Sequence, residues 1–330
     1  MNLGLKAYLV KKVVYLLILV YFVITLNFVI FMLMPGDPTA VFAAGARLND
    51  QRALEIIRAR FGLNESMIVR YGKYVSSMVT FFFGYSYRTG KPVSVDILNR
   101  MANTLQLVGL STIFAIMLGT ILGVIAAAKR GKFFDSASVM LSLVTFSLPS
   151  FWIGMILLMI FNSWLGWFPD AGTIPREWAR YPPENFIAEI TGRLRHLFLP
   201  VLTLTLFQYG GYLLLTRATM LDALTEDYVV TARAKGARER TILFKHALRN
   251  ASLPLITNVA ISFGFMLSGA IITEQVFSIP GLGLWLWDAI AFVDYPVLMA
   301  MFYIIALCVI AANFISDLLY GVVDPRIRYG

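Results

Sequence analysis

Between Lys12 and Pro35 the chain reads VVYLLILVYFVITLNFVIFMLM, Val13 to Met34, without one charged residue. A hydrocarbon core about 30 Å thick takes about 20 residues of helix to cross, so the stretch predicts a membrane-spanning helix. Its apolar run is too long for the core of a cleaved signal peptide, and no small-residue cleavage pattern precedes MPGDP. The helix is therefore expected to stay in the protein.

Five further runs have similar character: Thr104 to Ala128, Ser136 to Asn162, Leu197 to Thr216, Leu255 to Thr273 and Val297 to Ser316. With 58% hydrophobic and 14% charged residues and a mean hydropathy of +0.73, the chain lies outside the range of soluble domains. The fold expected is an all-α integral membrane protein of six transmembrane helices. Cys308 is the single cysteine, and the histidines are His196 and His246, so neither an internal disulfide nor a Cys/His metal cluster is available. The net charge of +9 is explained by basic residues flanking the spans. No basic domain with a nucleic-acid motif stands apart from them, and nucleic acid is not an expected partner.

The same basic residues predict orientation. Lys6, Lys11 and Lys12, then Lys129, Arg130 and Lys132, then seven between Arg217 and Arg249, and finally Arg326 and Arg328 fall on one side. The short loops on the other side hold Arg176, Arg180, Arg193 and Arg195, or none. Positive loops stay inside, which puts both termini in the cytoplasm and makes 35–103 an extracytoplasmic segment, too long for its own charges to steer topology. Within it, Asn49 or Asp50 can cap a helix through Arg60 in which Leu54, Ile57 and Phe61 share a face, ended by Gly62. A second run from Glu65 to Thr80 is less regular. The organisation expected is thus 1–34, N-terminus and first span; 35–103, extracytoplasmic helical segment; and 104–330, five-span core with a cytoplasmic loop at 217–250.

That loop holds the stretch TARAKGARERTILFKHALRN, beginning at Thr231. Upstream, Leu221, Leu224, Tyr228 and Ala232 recur at helical spacing, and downstream Ile242, Leu243, Ala247 and Leu248 form a second apolar face. Gly236 lies between them and predicts a turn, because glycine inside a helix costs about 1 kcal/mol relative to alanine. A membrane anchor through the loop's cations would account for the charge alone. The spans as drawn contain no Asp, Glu, Lys or Arg in their interiors, where a proton-driven carrier commonly keeps ionisable groups. The GK pairs at Gly72, Gly90 and Gly131 lack the upstream glycine and the following Ser or Thr of a phosphate-binding loop. A transporter so made needs an external engine.

The stretch EDYVVTARAKGARERTILFKHALRNASLP, Glu226 to Pro254, resembles the cytoplasmic loop of permease subunits of ABC importers in the oligopeptide/dipeptide group. Importers generally carry Glu-Ala-Ala, three residues, then glycine; those places hold Val230, Thr231, Ala232 and Gly236. The missing glutamate fits the peptide group, whose Thr-Ala-Arg-Ala-Lys-Gly pattern is met by Thr231 to Gly236. PGDP at Pro35, GYSYRTGKPV at Gly84, LPSFWIG at Leu148, LRHLFLP at Leu194, FSIPGLG at Phe277, DYP at Asp294 and DPRIRY at Asp324 extend the resemblance over nearly the whole chain. They are similar to the first of the two permease subunits in such systems.

The resemblance implies a type I ABC importer permease fold in the cell membrane, paired with a second homologous permease subunit, two cytoplasmic ATP-binding subunits and an extracytoplasmic solute-binding protein. It implies that Thr231, Ala232, Ala234 and Gly236 form the core of the ATPase contact, with Arg233, Lys235 and Glu239 on its rim. No cofactor and no catalytic residue are implied, since ATP hydrolysis belongs to the partner subunits. Peptide is the substrate it suggests, with oligosaccharides or nickel as alternatives, and the substrate path is not read from the residues. A secondary carrier would need no ATPase partner. A membrane enzyme would need paired acids, a nucleophile with its base, or a metal set, and none is found. Other motifs have plainer readings: PGDP and IPGLG as turn formers; Pro149, Pro200 and Pro254 as kinks; and Trp164, Trp167, Trp285 and Trp287 as an aromatic belt.

Overall fold

A computed structural model describes residues 3–33, 55, 64–268 and 270–323. The helix expected from Asn49 to Arg60, apart from Glu55, and the motifs PGDP and DPRIRY lie outside the described residues. Those described are helical apart from turns, loops and one isolated bridge between Tyr85 and Pro92. In chain order the principal helices are α1 (Leu3–Leu33), α2 (Met67–Val79), α3 (Val93–Ala128), α4 (Phe133–Ser147), α5 (Ser150–Trp164), α6 (Phe186–Ala223), α7 (Asp227–Ala234), α8 (Leu248–Gly264), α9 (Ile271–Val276), α10 (Leu282–Ala291) and α11 (Tyr295–Val323).

Among the described residues, four segments are long and apolar enough to cross a membrane: Val10–Leu33, Val93–Ala128, Phe186–Ala223 and Tyr295–Ile315. The pair α4 and α5 makes a fifth if counted as one span bent by 100°. Pro149 explains the bend. Leu148 before it is extended, with φ −82° and ψ 137°, as the pyrrolidine ring demands of its predecessor, and α5 starts afresh at Ser150. Pro200 and Pro254, by contrast, sit inside α6 and α8 without ending them. The stretch expected as a span from Leu255 to Thr273 is divided: α8 ends at Gly264, a 3-10 turn follows at Phe265–Ser268, and α9 begins at Ile271. Two other helices start earlier than the apolar runs suggest. α3 begins at Val93, within the expected extracytoplasmic segment, and α6 begins at Phe186, where Asn185 accepts the Ala188 N–H at 2.8 Å as an N-cap.

α6 is central. Its apolar window is 61% buried, against 22% for α1 and 28% for α11, whose outward faces suit contact with lipid. The closest crossing is with α3, where Gly119 and Gly123 repeat at the spacing that lets helix backbones touch. A Cβ on Gly119 would lie 2.6 Å from Tyr209 O, and one on Gly123 would lie 2.7 Å from Leu213 O. Gly264 meets Ala312 in the same manner where α8 crosses α11. Asn27, polar and buried within α1, is satisfied by donating to Tyr74 Oη at 2.7 Å and Met299 O at 2.9 Å.

Two of the four apolar clusters among the described residues lie at the ends of the bundle. At one, Ile24, Phe28 and Phe31 of α1 pack with Tyr74 and Met78 of α2, the start of α3, α10 and the start of α11. At the other, Val124 and Ala127 of α3 pack with Met220 and Ala223 of α6, Val229 of α7, and Ile242, Ala247 and Ala251 leading into α8. We call these the cap end and the loop end.

The α3–α6 crossing generates a prediction. Gly119→Leu is expected to destabilise the folded protein by about 1–3 kcal/mol through overpacking, lowering its melting temperature in detergent. Gly72→Leu, whose Cβ meets nothing within 4 Å, is expected to leave it unchanged.

Candidate functional site

The loop-end site is built on α7. Tyr228, Val229 and Ala232 face the apolar cluster, Val229 with no exposure at all. Thr231, Arg233, Ala234, Lys235, Gly236 and Glu239 are exposed. Ala232 is half-buried against the cluster, so of the four small residues named for the contact, Thr231, Ala234 and Gly236 are the ones presented outward. Val230, 57% exposed, joins them, because residues three and four apart share a helix face. The outward surface is therefore short side chains on a rigid, cluster-backed helix.

Gly236 closes α7. Its φ is +75°, its N–H donates to Arg233 O at 2.9 Å, and the Ala237 N–H donates to Ala232 O at 3.2 Å. These two bonds are the Schellman pattern, which ends a helix with glycine in the left-handed region. A Cβ at Gly236 would touch nothing within 4 Å, so the space over it is open to another molecule. Across the turn, Arg233 Nη2 donates to Glu239 Oε1 at 3.0 Å. Both side chains are about half exposed, and such a pair contributes below about 1 kcal/mol. It fixes the rim more than it stabilises the fold.

Two polar clasps hold the cap end. Asp294, buried between α10 and α11, accepts from Ser86 Oγ at 2.5 Å, Tyr87 N–H at 2.9 Å and Arg88 N–H at 3.2 Å. GYSYRTGKPV and DYP thus meet across some two hundred residues of chain. Arg88 also pairs with Asp288 at 3.1 Å and lies over the Phe292 ring. Burial pushes the neighbouring Tyr87 phenol up to about 12, a mark of how dry the clasp is. In the second clasp, Glu274 is fully buried and accepts from Thr104 Oγ1 and Leu284 N–H, both at 2.8 Å. Thr104 Oγ1 in turn accepts from Leu282 N–H at 2.8 Å. Gly281 runs against the Glu274 carboxylate so closely that a Cβ there would overlap it. IPGLG therefore does more than turn the chain: its glycines let the backbone close around a buried acid.

Sequence reading missed Glu274, which lies just beyond an expected span, and quoted Asp294 as the start of DYP without its partner, because DYP and GYSYRTGKPV were read separately. It also misplaced one tryptophan. Trp164, Trp167 and Trp287 are exposed, as a membrane-surface belt requires, but Trp285 is 5% exposed in the cap-end cluster, with the Arg100 guanidinium 5.4 Å from its ring. His196 makes a local contact, Nδ1 to Gly192 O at 2.8 Å.

The family described as binding-protein-dependent transport system inner membrane component matches residues 119–329, and the N-terminal region of such membrane components matches 5–108. The chain belongs to this family. It is 38% identical over 324 residues to the oligopeptide transport system permease protein AppB of Bacillus subtilis, covering 98% of this chain and 99% of that one. It is 38% identical over 325 residues to the di/tripeptide transport system permease protein DppB of Pseudomonas aeruginosa, covering 95% and 96%. The glutathione transport system permease protein GsiC of Escherichia coli is 34% identical over 322 residues, covering 98% and 99%. The protein is thus a multi-pass inner-membrane permease component, all-helical as expected from its sequence.

The Asp294 clasp can be tested in this permease. Asp294→Ala leaves Ser86 Oγ and two backbone N–H groups without their acceptor, at about 1–3 kcal/mol each, and is expected to speed tryptic cleavage after Arg88 by an order of magnitude. Asp288→Ala, which removes only a half-exposed partner, is expected to change it little.

Proposed function

We propose that this permease forms half of the translocation path of a peptide importer and is driven by ATPase subunits that seat on α7. The observation that carries the reading is the exposed face of Val230, Thr231, Ala234 and Gly236, backed by a cluster drawn from α3, α6 and α8. A load on α7 is delivered straight to the ends of those helices. Close backbone approach at Gly236 lets a partner follow it without slack. The loop 217–250 is then the coupling element, with Arg233, Lys235 and Glu239 at its rim.

Six crossings complete this reading, with α8 as the one that falls short by length and hydropathy. Its support is positional: it leaves the loop-end cluster at Ala251 and packs Gly264 on α11 at the far end of its run. The cations at Lys129, Arg130, Lys132 and in the loop set the loop end in the cytoplasm, with both termini on the same side. The cap end and the rest of 35–103 face outward, where a solute-binding protein would deliver substrate to this subunit and a second, homologous permease. Peptide as substrate rests on the relatives, named for oligopeptides, di- and tripeptides and glutathione.

The test compares Gly236→Trp with the double variant Arg233→Gln, Lys235→Gln, scoring membrane insertion, ATPase recovery on pull-down and peptide uptake. The tryptophan is strained at φ +75° and fills the open space. It is expected to insert normally yet lose at least tenfold in ATPase recovery or uptake, with the charge variant less affected. Normal transport by Gly236→Trp beside a dead charge variant would make the loop a lipid anchor. Thiol labelling in a Cys308→Ser background checks orientation: Thr89→Cys is expected to react from outside and Lys235→Cys only after permeabilisation.

A further inference from the structure

We propose that the ion pair of Asp135 with Arg217 is the fastening through which movement of α7 reaches the bent pair α4 and α5. The inference rests on the coupling reading above and names residues outside the coupling loop's contact surface. Asp135 stands in the first turn of α4 with 5% of its side chain exposed. Arg217, near the loop end of α6, meets it as a fork, Nε to Oδ1 at 2.5 Å and Nη2 to Oδ2 at 2.8 Å. The same carboxylate accepts the Gly131 N–H at 2.9 Å, so the turn between α3 and α4 is tied in as well.

A bidentate, charge-assisted pair in this geometry resists both sliding and rotation. α6 continues through Ala223 into the cluster that carries α7, so Arg217 sits on the element that α7 displaces. α4 has a second close contact with α6, where a Cβ on Gly210 would lie 2.8 Å from Ser142 O. That contact is steric and can slide; the fork is directional. With α4 held at its loop end and bent by 100° at Pro149, a shift of α6 is passed on to α5 through the bend. A buried pair adds little net stability over an apolar substitute, which is consistent with a role in direction more than in folding.

The experiment uses the assembled importer, with its ATPases, and spin-label pairs on exposed positions. A pair at Asp227 and Ile315 reports α7 against α11; a pair at Met140 and Ile315 reports α4 against α11. In the unsubstituted complex, ATP is expected to shift both distances. In Asp135→Asn, the α7 shift is expected to persist while the α4 shift falls at least by half. The matched double variant Asp135→Asn, Arg217→Met leaves no unpaired buried charge, so a merely structural pair would recover the α4 shift in it; the proposal expects the shift to stay lost. An unchanged α4 shift in Asp135→Asn, or its recovery in the double variant, overturns the proposal. Absence of any ATP-dependent α7 shift in the unsubstituted complex overturns the coupling reading itself, and is told apart by that control.

Discussion

The close approach of α3 to α6 is the constraint on which the rest of the bundle depends. Lipid tails are as apolar as leucine, so burial gives transmembrane helices little reason to associate, and contact distance decides which pairs hold. Gly119 and Gly123 bring α3 onto the backbone of α6. One turn further on, that contact delivers Val124 and Ala127 to Met220 and Ala223. The platform so formed receives Val229 of α7 and Ile242 and Ala247 below α8. Without the glycines, α7 would have nothing rigid to stand on.

Polar groups do the complementary work of fixing direction. Each of the buried acids Asp135, Glu274 and Asp294 binds groups from elements far apart in sequence, and each takes at least one backbone N–H along with side-chain donors. A buried carboxylate is costly unless its acceptor sites are filled, so these arrangements are specific about which segments meet. They sit at the ends of helices, where the chain turns, and they clamp those turns. The interior of the bundle relies mostly on small residues and apolar packing, with polar bonds such as Asn27 to Tyr74 and Tyr212 to Ser262 between helices.

Much of this is legible in the sequence. Leu221, Leu224, Tyr228, Ala232, Ile242, Leu243, Ala247 and Leu248, picked out by helical spacing, all reappear at the loop-end cluster, and Gly236 has the turn conformation its place implied. Periodicity reports which face is apolar, and that face was buried. It reports less well where a helix begins. Asp96 and Arg100 end the apolar run before Thr104, yet the helix continues back to Val93, because hydropathy reads the solvent and not the backbone. Partners remote in sequence were invisible: nothing local ties Asp294 to Ser86 or Asp135 to Arg217. Pro149 shows the same limit, since a proline in a span can be tolerated or can break the helix, and Pro200 and Pro254 took the first course.

The small-residue face of α7 is the surface proposed to receive the ATPase subunits. Hydrogen–deuterium exchange of the detergent-solubilised permease, with and without its ATPases, tests it most directly. The account predicts slowed exchange at the amides of Val230 to Ala237 on ATPase addition, with the turn from Tyr85 to Pro92 unchanged. Protection confined to other loops, with α7 exchanging at the same rate in both states, would contradict it.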